Sequence, residues 1–327
     1  MKRVKSILLL VVLFACAFSV PGKAGPGAAV VSAQGEGTRR KATGPPKPMT
    51  IPVGIKVKGQ QPATEELRPL DLTVNEDGEP QTILSIRAFG TNSPITLAVL
   101  IQDDLDPSAS NEVKTIAEFI RHLPAGSRVM VGYIRAGSLQ VRQKFTAELE
   151  KAASTLRMPY GLASAAPYNP YVEVLESLNR FESQPTGRRS MLLISDGLDV
   201  SRGVDSSSPG QSLDLQRAIN QAQRRSVAVY SFYVPSVGLN SGSNLSLISN
   251  AQSSLERLSS ETGGKAFFQG TGAPVSFDPF FRDLNASLEK QIALTYLSTH
   301  TNKGFHRLQL RSSTPGVELT YPSGYVR

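Results

Sequence analysis

Ile95-Thr-Leu-Ala-Val-Leu-Ile-Gln-Asp-Asp104 is an apolar run that ends abruptly in two carboxylates. It is too short to span a membrane and shows no polar alternation, which suits a strand buried on both faces. Acids just past the C-terminal end of such a strand lie where open parallel α/β sheets place their ligand crevice. Ser190-Met-Leu-Leu-Ile-Ser-Asp-Gly197 repeats the pattern, with an apolar strand running into Asp196. If these two strands are neighbours, Asp103 or Asp104 and Asp196 converge at one rim. The competing reading is that the acids only cap loops and the helices that follow.

Outward from residue 95, strands alternate with helices. Periodicity predicts helices over 111–123, 147–156, 171–181, 213–225, 251–262 and 279–291, and strands over 128–134, 139–144, 191–195, 227–233 and 266–268. Residues 157–170, 197–210 and 235–249 read as loops. Alternation on this scale implies an α/β fold, a doubly wound, mostly parallel, Rossmann-like sheet over 93–292. Both flanks read as β structure. Residues 51–92 carry alternating strands around Asp77-Gly78, a strong hairpin signal. Two hairpin strands alone are only marginally stable. The strands expected over 293–327 are therefore assigned to the same small β module.

The N-terminus reads as an export signal. Lys2, Arg3 and Lys5 precede an apolar core over 7–20, and Val31-Ser-Ala33 forms a small-residue cleavage site. This core is shorter than the roughly 20 residues a membrane helix needs. The expectation is a signal peptide over 1–33, a secreted or periplasmic mature chain and no transmembrane segment after cleavage. Cys16, the lone cysteine, follows Leu13-Phe-Ala15, where the bulky Phe14 argues against lipid attachment. The mature chain then has no thiol for a disulfide, a metal or nucleophilic catalysis. The net charge is +8, but residues 1–50 alone carry +7. The basic character belongs to the signal and to a Gly-, Pro-, Lys- and Arg-rich linker over 34–50, so a nucleic-acid partner is not supported.

The order of elements, with Asp103 after one strand, Asp196-Gly197 after another and Gly263-Gly264 between a helix and a short strand, resembles the von Willebrand factor type A (VWA) domain. Asp71-Leu-Thr-Val-Asn-Glu-Asp-Gly-Glu-Pro-Gln-Thr-Ile83 and the closing Gly304-Phe-His-Arg307 and Gly324-Tyr325 are similar to the flanks of the secreted bacterial VWFA-related domain family. This resemblance covers about residues 51–327. It implies a divalent cation at the rim, held by a D-x-S-x-S loop, a Thr and an Asp, with a position left for a partner's carboxylate.

The sequence departs from that pattern. Counted from Asp103, Leu105 and Pro107 fall where serines belong; a literal match comes three residues later, Asp106-Pro-Ser-Ala-Ser110. The loop over 161–170 has no Thr, only Ser164 and Asn169. The candidate metal ligands are Asp103, Asp106, Ser108, Ser110 and Asp196. Ser108 and Ser110 serve equally well as helix N-caps. The expectation is a degenerate site with weak Mg²⁺ or Ca²⁺ binding, on the order of millimolar, or none.

Other chemistry is thin. His122, His300 and His306 lie apart from the rim acids in sequence, and no nucleophile elbow, phosphate loop or paired metal ligands are visible. Tyr160, Tyr168 and Tyr171 near Pro and Asn residues suit either a protein-binding loop or a loop packed onto the sheet. The sequence reading is a binding module, not an enzyme. It recognises a protein or cell-envelope partner through loops 102–110, 157–170, 197–212 and 235–249. One alternative is a structural subunit of an envelope complex that binds through the β module. The other is a metal-dependent hydrolase, for which no base, nucleophile or full ligand set is visible.

Overall fold

The apolar run over 96–102 forms strand β4 (Thr96–Gln102), every residue of which is buried. In this computed structural model, which describes residues 45–57, 72–90, 92–239 and 245–327, β4 lies inside a six-stranded sheet. Its companions are β5 (Arg128–Arg135), β6 (Ser138–Thr146), β7 (Arg189–Ser195), β8 (Val227–Tyr233) and β9 (Ala266–Phe267), in the order β6-β5-β4-β7-β8-β9. All pairings are parallel except that of β6, an antiparallel edge strand on β5. β4 and β7 are direct neighbours, with Ile101 opposite Ile194. Asp103, Asp104 and Asp196 therefore leave the sheet at the same edge.

Among the described residues, six α-helices accompany the sheet: α1 (Val113–Arg121), α2 (Leu149–Ser154), α3 (Tyr171–Asn179), α4 (Leu213–Arg225), α5 (Leu245–Glu261) and α6 (Asp278–Glu289). Alternate strand residues divide between two apolar clusters. Leu97, Val99 and Ile101 pack with residues of α1, α2 and α6, whereas Ala98 and Leu100 pack with residues of α3, α4 and α5. This division explains why β4 reads as an uninterrupted apolar run. Among the described residues, no helix is long and apolar enough to cross a membrane.

Among the boundaries that differ from the sequence reading, two have a clear local form. Helix α5 begins at Leu245, inside the stretch read as a loop. Its first turns carry Ser and Asn on the outside, which hides the buried Ile248 and Ala251. Helix α1 is preceded by a 3-10 turn, Pro107–Glu112, so the regular helix starts two residues later than its spacing suggests.

The second sheet has seven antiparallel strands. They are β1 (Lys47–Val57), β2 (Leu72–Glu76), β3 (Glu79–Ala88), β10 (Gln291–Ser298), β11 (Phe305–Ser312), β12 (Val317–Thr320) and β13 (Gly324–Val326), in the order β12-β1-β10-β3-β2-β11-β13. N- and C-terminal strands interleave: β10 lies between β1 and β3, and β11 pairs with β2. Ile51, Val53, Leu72, Val74, Leu294, Tyr296, Leu308 and Leu310 form their common core. Asp77 and Gly78 both have positive φ, 50° and 85°, as a two-residue hairpin turn between β2 and β3 requires.

β1 starts at Lys47, inside the expected linker. Pro48 and Pro52 obscure it, because a proline cannot donate to a ladder and avoids central strands. Both lie in the part of β1 that pairs with β10 alone; β12 joins only from Gly54 onward. The expected signal peptide, and the linker up to residue 44, lie outside the described residues.

Candidate functional site at the carboxyl rim

Asp103 is completely buried at the end of β4. Its two carboxylate oxygens accept from one guanidinium: Arg157 Nη1 lies 2.7 Å from Oδ1, and Nη2 lies 2.8 Å from Oδ2. The backbone N–H of Tyr160 adds a third bond to Oδ1 at 3.1 Å. Arg135 comes within 3.8 Å of Oδ2. Arg157 is itself fixed. Its guanidinium lies 4.0 Å from the ring centre of Tyr133 and 4.2 Å from that of Tyr160, distances typical of cation–π contact. The Tyr133 hydroxyl donates to the Arg157 carbonyl at 2.6 Å and accepts from its N–H at 2.7 Å. The bond to Asp103 raises the Arg157 pKa above its already high value.

The other acids take different roles. Asp104 accepts from Gln102 Nε2 at 2.8 Å, and Gln102 Oε1 accepts from Ser195 Oγ at 2.5 Å and from the Asp196 N–H at 3.3 Å. Gln102 thus ties β4 to the end of β7. Burial first, then the nearby Asp196, pushes the Asp104 carboxyl up to about 6. Asp196 is also buried and raised for the same first reason, while the Leu198 N–H, 3.0 Å from Oδ1, favours its ionised form. Gly197, which follows it, has a φ of 71°, and a Cβ there would lie 2.4 Å from Leu255 Cγ. Only glycine turns the chain away from the sheet at this point.

The described members of the sequence-derived ligand set have different partners. Asp103 and Asp196 do reach the same rim. Asp106, however, turns to its own loop, accepting from the Ser108 N–H at 2.8 Å and from Ser108 Oγ at 2.5 Å. The side chain of Ser110 lies outside the described residues. Asn169, one of two candidates for the missing Thr position, accepts from the Tyr171 N–H and donates to Asp214. With both oxygens of Asp103 engaged by Arg157, the residues present do not fit a hydrated divalent ion at Asp103.

The rim loops also carry exposed apolar side chains. Met158, Tyr160, Leu162 and Tyr168 are between 51% and 70% exposed, and all lie in 157–170. Tyr171 behaves differently. It is fully buried, and its hydroxyl donates to the Gly197 carbonyl at 2.6 Å. Of the three tyrosines singled out in the sequence, two face outward and one packs the loop onto the sheet.

Sequence reasoning missed Arg157 and Arg135. Neither has a periodic signal, and the Arg157 partner lies 54 residues away. It also missed a second cluster in the antiparallel sheet, where Glu76, Asp77 and His300 each place a ligand-type atom within 4.8 Å of the others. There Glu76 Oε1 accepts from the Tyr325 hydroxyl at 2.5 Å and from Ser298 Oγ at 3.0 Å. His306 Nδ1 lies 2.8 Å from Asp77 Oδ2, and Nε2 lies 2.8 Å from the Asn302 carbonyl. Both partners are acceptors, one facing each ring nitrogen.

No family model matches the sequence, and no curated protein matches it. Solved structures do. The folds it is similar to include von Willebrand factor type A domains. One is a von Willebrand factor type A structure from Catenulispora acidiphila, 12% identical over 75% of this chain and 74% of that one, at a TM-score of 0.39. Another is BatB from Bacteroides thetaiotaomicron, 12% identical over 60% of this chain and 97% of that one, at 0.41. A third is an aerotolerance-related membrane protein from Bacteroides fragilis, 11% identical over 60% and 98%, also at 0.41.

Proposed function

We propose that this chain is an exported VWA-like binding module, with a doubly wound sheet, that recognises a protein or envelope partner through the loops at its carboxyl rim. The observation that carries this reading is the loop 157–170. It exposes Met158, Tyr160, Leu162 and Tyr168 while being tied down at its base through Asp103 and Arg157. Aromatic residues and Met are the types enriched at protein interfaces, and a pre-ordered loop loses less entropy on binding. A non-enzymatic role accords with the rim acids, because Asp103 is neutralised and Asp104 and Asp196 are enclosed and bonded to Gln102 and the Leu198 N–H.

The test is photo-crosslinking of the full chain in its own envelope, from a probe placed at position 162 or at position 55. Crosslinks from 162 that disappear with Met158→Ser and Tyr160→Ser support rim recognition. A structural subunit binding through the β module would crosslink from 55 instead. Ile55 borders a groove of 1280 Å³ lined also by Lys56, Asn220, Lys265 and Asp283, which is the observation favouring that second reading. Hydrolytic activity abolished by Asp104→Asn would favour the enzymatic alternative.

A further inference from the structure

The VWA resemblance implies a divalent cation at Asp103, but the chain meets that carboxylate with a charge of its own. We propose that Arg157 is a built-in cation that takes over the duty of the metal ion, so that the rim is assembled and presented without metal. A carboxylate as buried as Asp103 needs compensation, and a paired charge with good hydrogen-bond geometry is one way to supply it. The guanidinium fork supplies both, one N–H to each oxygen. A lysine ammonium, a point charge without the fork, cannot reproduce this pairing.

Three further observations make Arg157 a resident of the site. Its side chain stacks on Tyr133 and Tyr160. Its backbone N–H and carbonyl are both held by the Tyr133 hydroxyl. The hydroxyl ligands a metal would need are replaced, at their counted positions, by Leu105 and Pro107, and Leu105 is completely buried. The exchange also has a mechanical result. Asp103 binds the Tyr160 N–H through its carboxylate and the Gly161 N–H through its carbonyl, at 3.1 and 3.0 Å. The ion pair therefore pins the base of the segment that exposes Met158, Tyr160 and Leu162. A chelator can strip a metal ion from such a place; it cannot strip a side chain.

The consequence for partner binding rests on the rim reading above, but the pairing itself does not, and the experiment addresses the pairing without a partner. The full chain is titrated with Mn²⁺, followed by calorimetry and by electron paramagnetic resonance, and its melting temperature is measured in Mg²⁺ and in EDTA. The wild-type chain is expected to melt at the same temperature in both and to show no Mn²⁺ binding that Asp103→Asn removes. Mn²⁺ binding that survives Asp103→Asn lies elsewhere and leaves the proposal standing. Arg157→Lys should lower the melting temperature by roughly 10 °C, with no recovery in Mg²⁺. Saturable Mn²⁺ binding by the wild-type chain that Asp103→Asn abolishes would overturn the proposal, and so would an unchanged melting temperature in Arg157→Lys. Should the variant not fold, the wild-type titration against Asp103→Asn still decides.

Discussion

Asp103 and Glu76 are both fully buried carboxylates at the ends of strands, one in each sheet, and they are stabilised by opposite means. Asp103 faces fixed charge, chiefly the two-pronged guanidinium of Arg157 from a loop within the same α/β unit, with Arg135 farther off at 3.8 Å. Glu76 sits among the hydroxyls of Tyr325 and Ser298, with one nitrogen each of His300 and His306 at 3.6 Å. Those partners come from the far end of the chain, up to 249 residues away. The first arrangement ties down the loop over 157–170. The second closes a sheet whose strands come from both chain ends.

If the contrast is right, removing the two-pronged guanidinium costs more than removing one of two hydroxyls. Arg157→Met leaves Asp103 with only the Tyr160 N–H and the more distant Arg135 and is expected to lower stability by about 3–5 kcal/mol, as measured by denaturant unfolding. Tyr325→Phe removes one donor from Glu76 but keeps the ring that stacks on His306 at 5.2 Å. It should cost less, about 1–3 kcal/mol. Equal losses in the two variants would remove the distinction between them.

The smallest effect concerns pH. The folded-state pKa of Asp104, about 6, lies above its ordinary value of 3.8. A raised carboxyl pKa means that the folded state binds the proton more tightly than the unfolded state. The associated stability is present below about pH 4 and is lost as pH rises through 6. Asp196, raised in the same direction, contributes with the same sign. Asp104→Asn should therefore be more stable than the wild-type chain at pH 7, by on the order of 1 kcal/mol, with the advantage vanishing near pH 4. An advantage that is constant with pH would mean that the ionised Asp104 carries no such cost.

Much of the fold can be read from short signals with local causes. β4 and β7 are apolar runs because helices cover both of their faces, and their adjacency carries Asp103, Asp104 and Asp196 to one rim. Asp77-Gly78 announces its turn because both positions require positive φ. Leu245, at the head of α5, is hidden by the Ser and Asn residues around it, and the start of β1 by its prolines. The candidate site is less legible. Asp196 can be placed from its strand, but nothing in the sequence around Arg157 says that it will reach Asp103. That pairing exists only after β4, β5 and the loop from 157 onward have come together. Asp106-Pro-Ser-Ala-Ser110 misleads for the reverse reason: it has the spacing of a metal loop, but Asp106 and Ser108 satisfy each other locally.

The most direct measurement is a double-mutant cycle on the full chain, with Arg157→Met, Asp103→Asn and the pair, unfolded by denaturant in Mg²⁺ and again in EDTA. Direct charge pairing predicts a coupling of about 2–3 kcal/mol, the upper range for residues in contact, equal in both buffers. A coupling within about 0.5 kcal/mol of zero, or one that changes between Mg²⁺ and EDTA, would contradict the claim that this chain neutralises Asp103 with its own arginine.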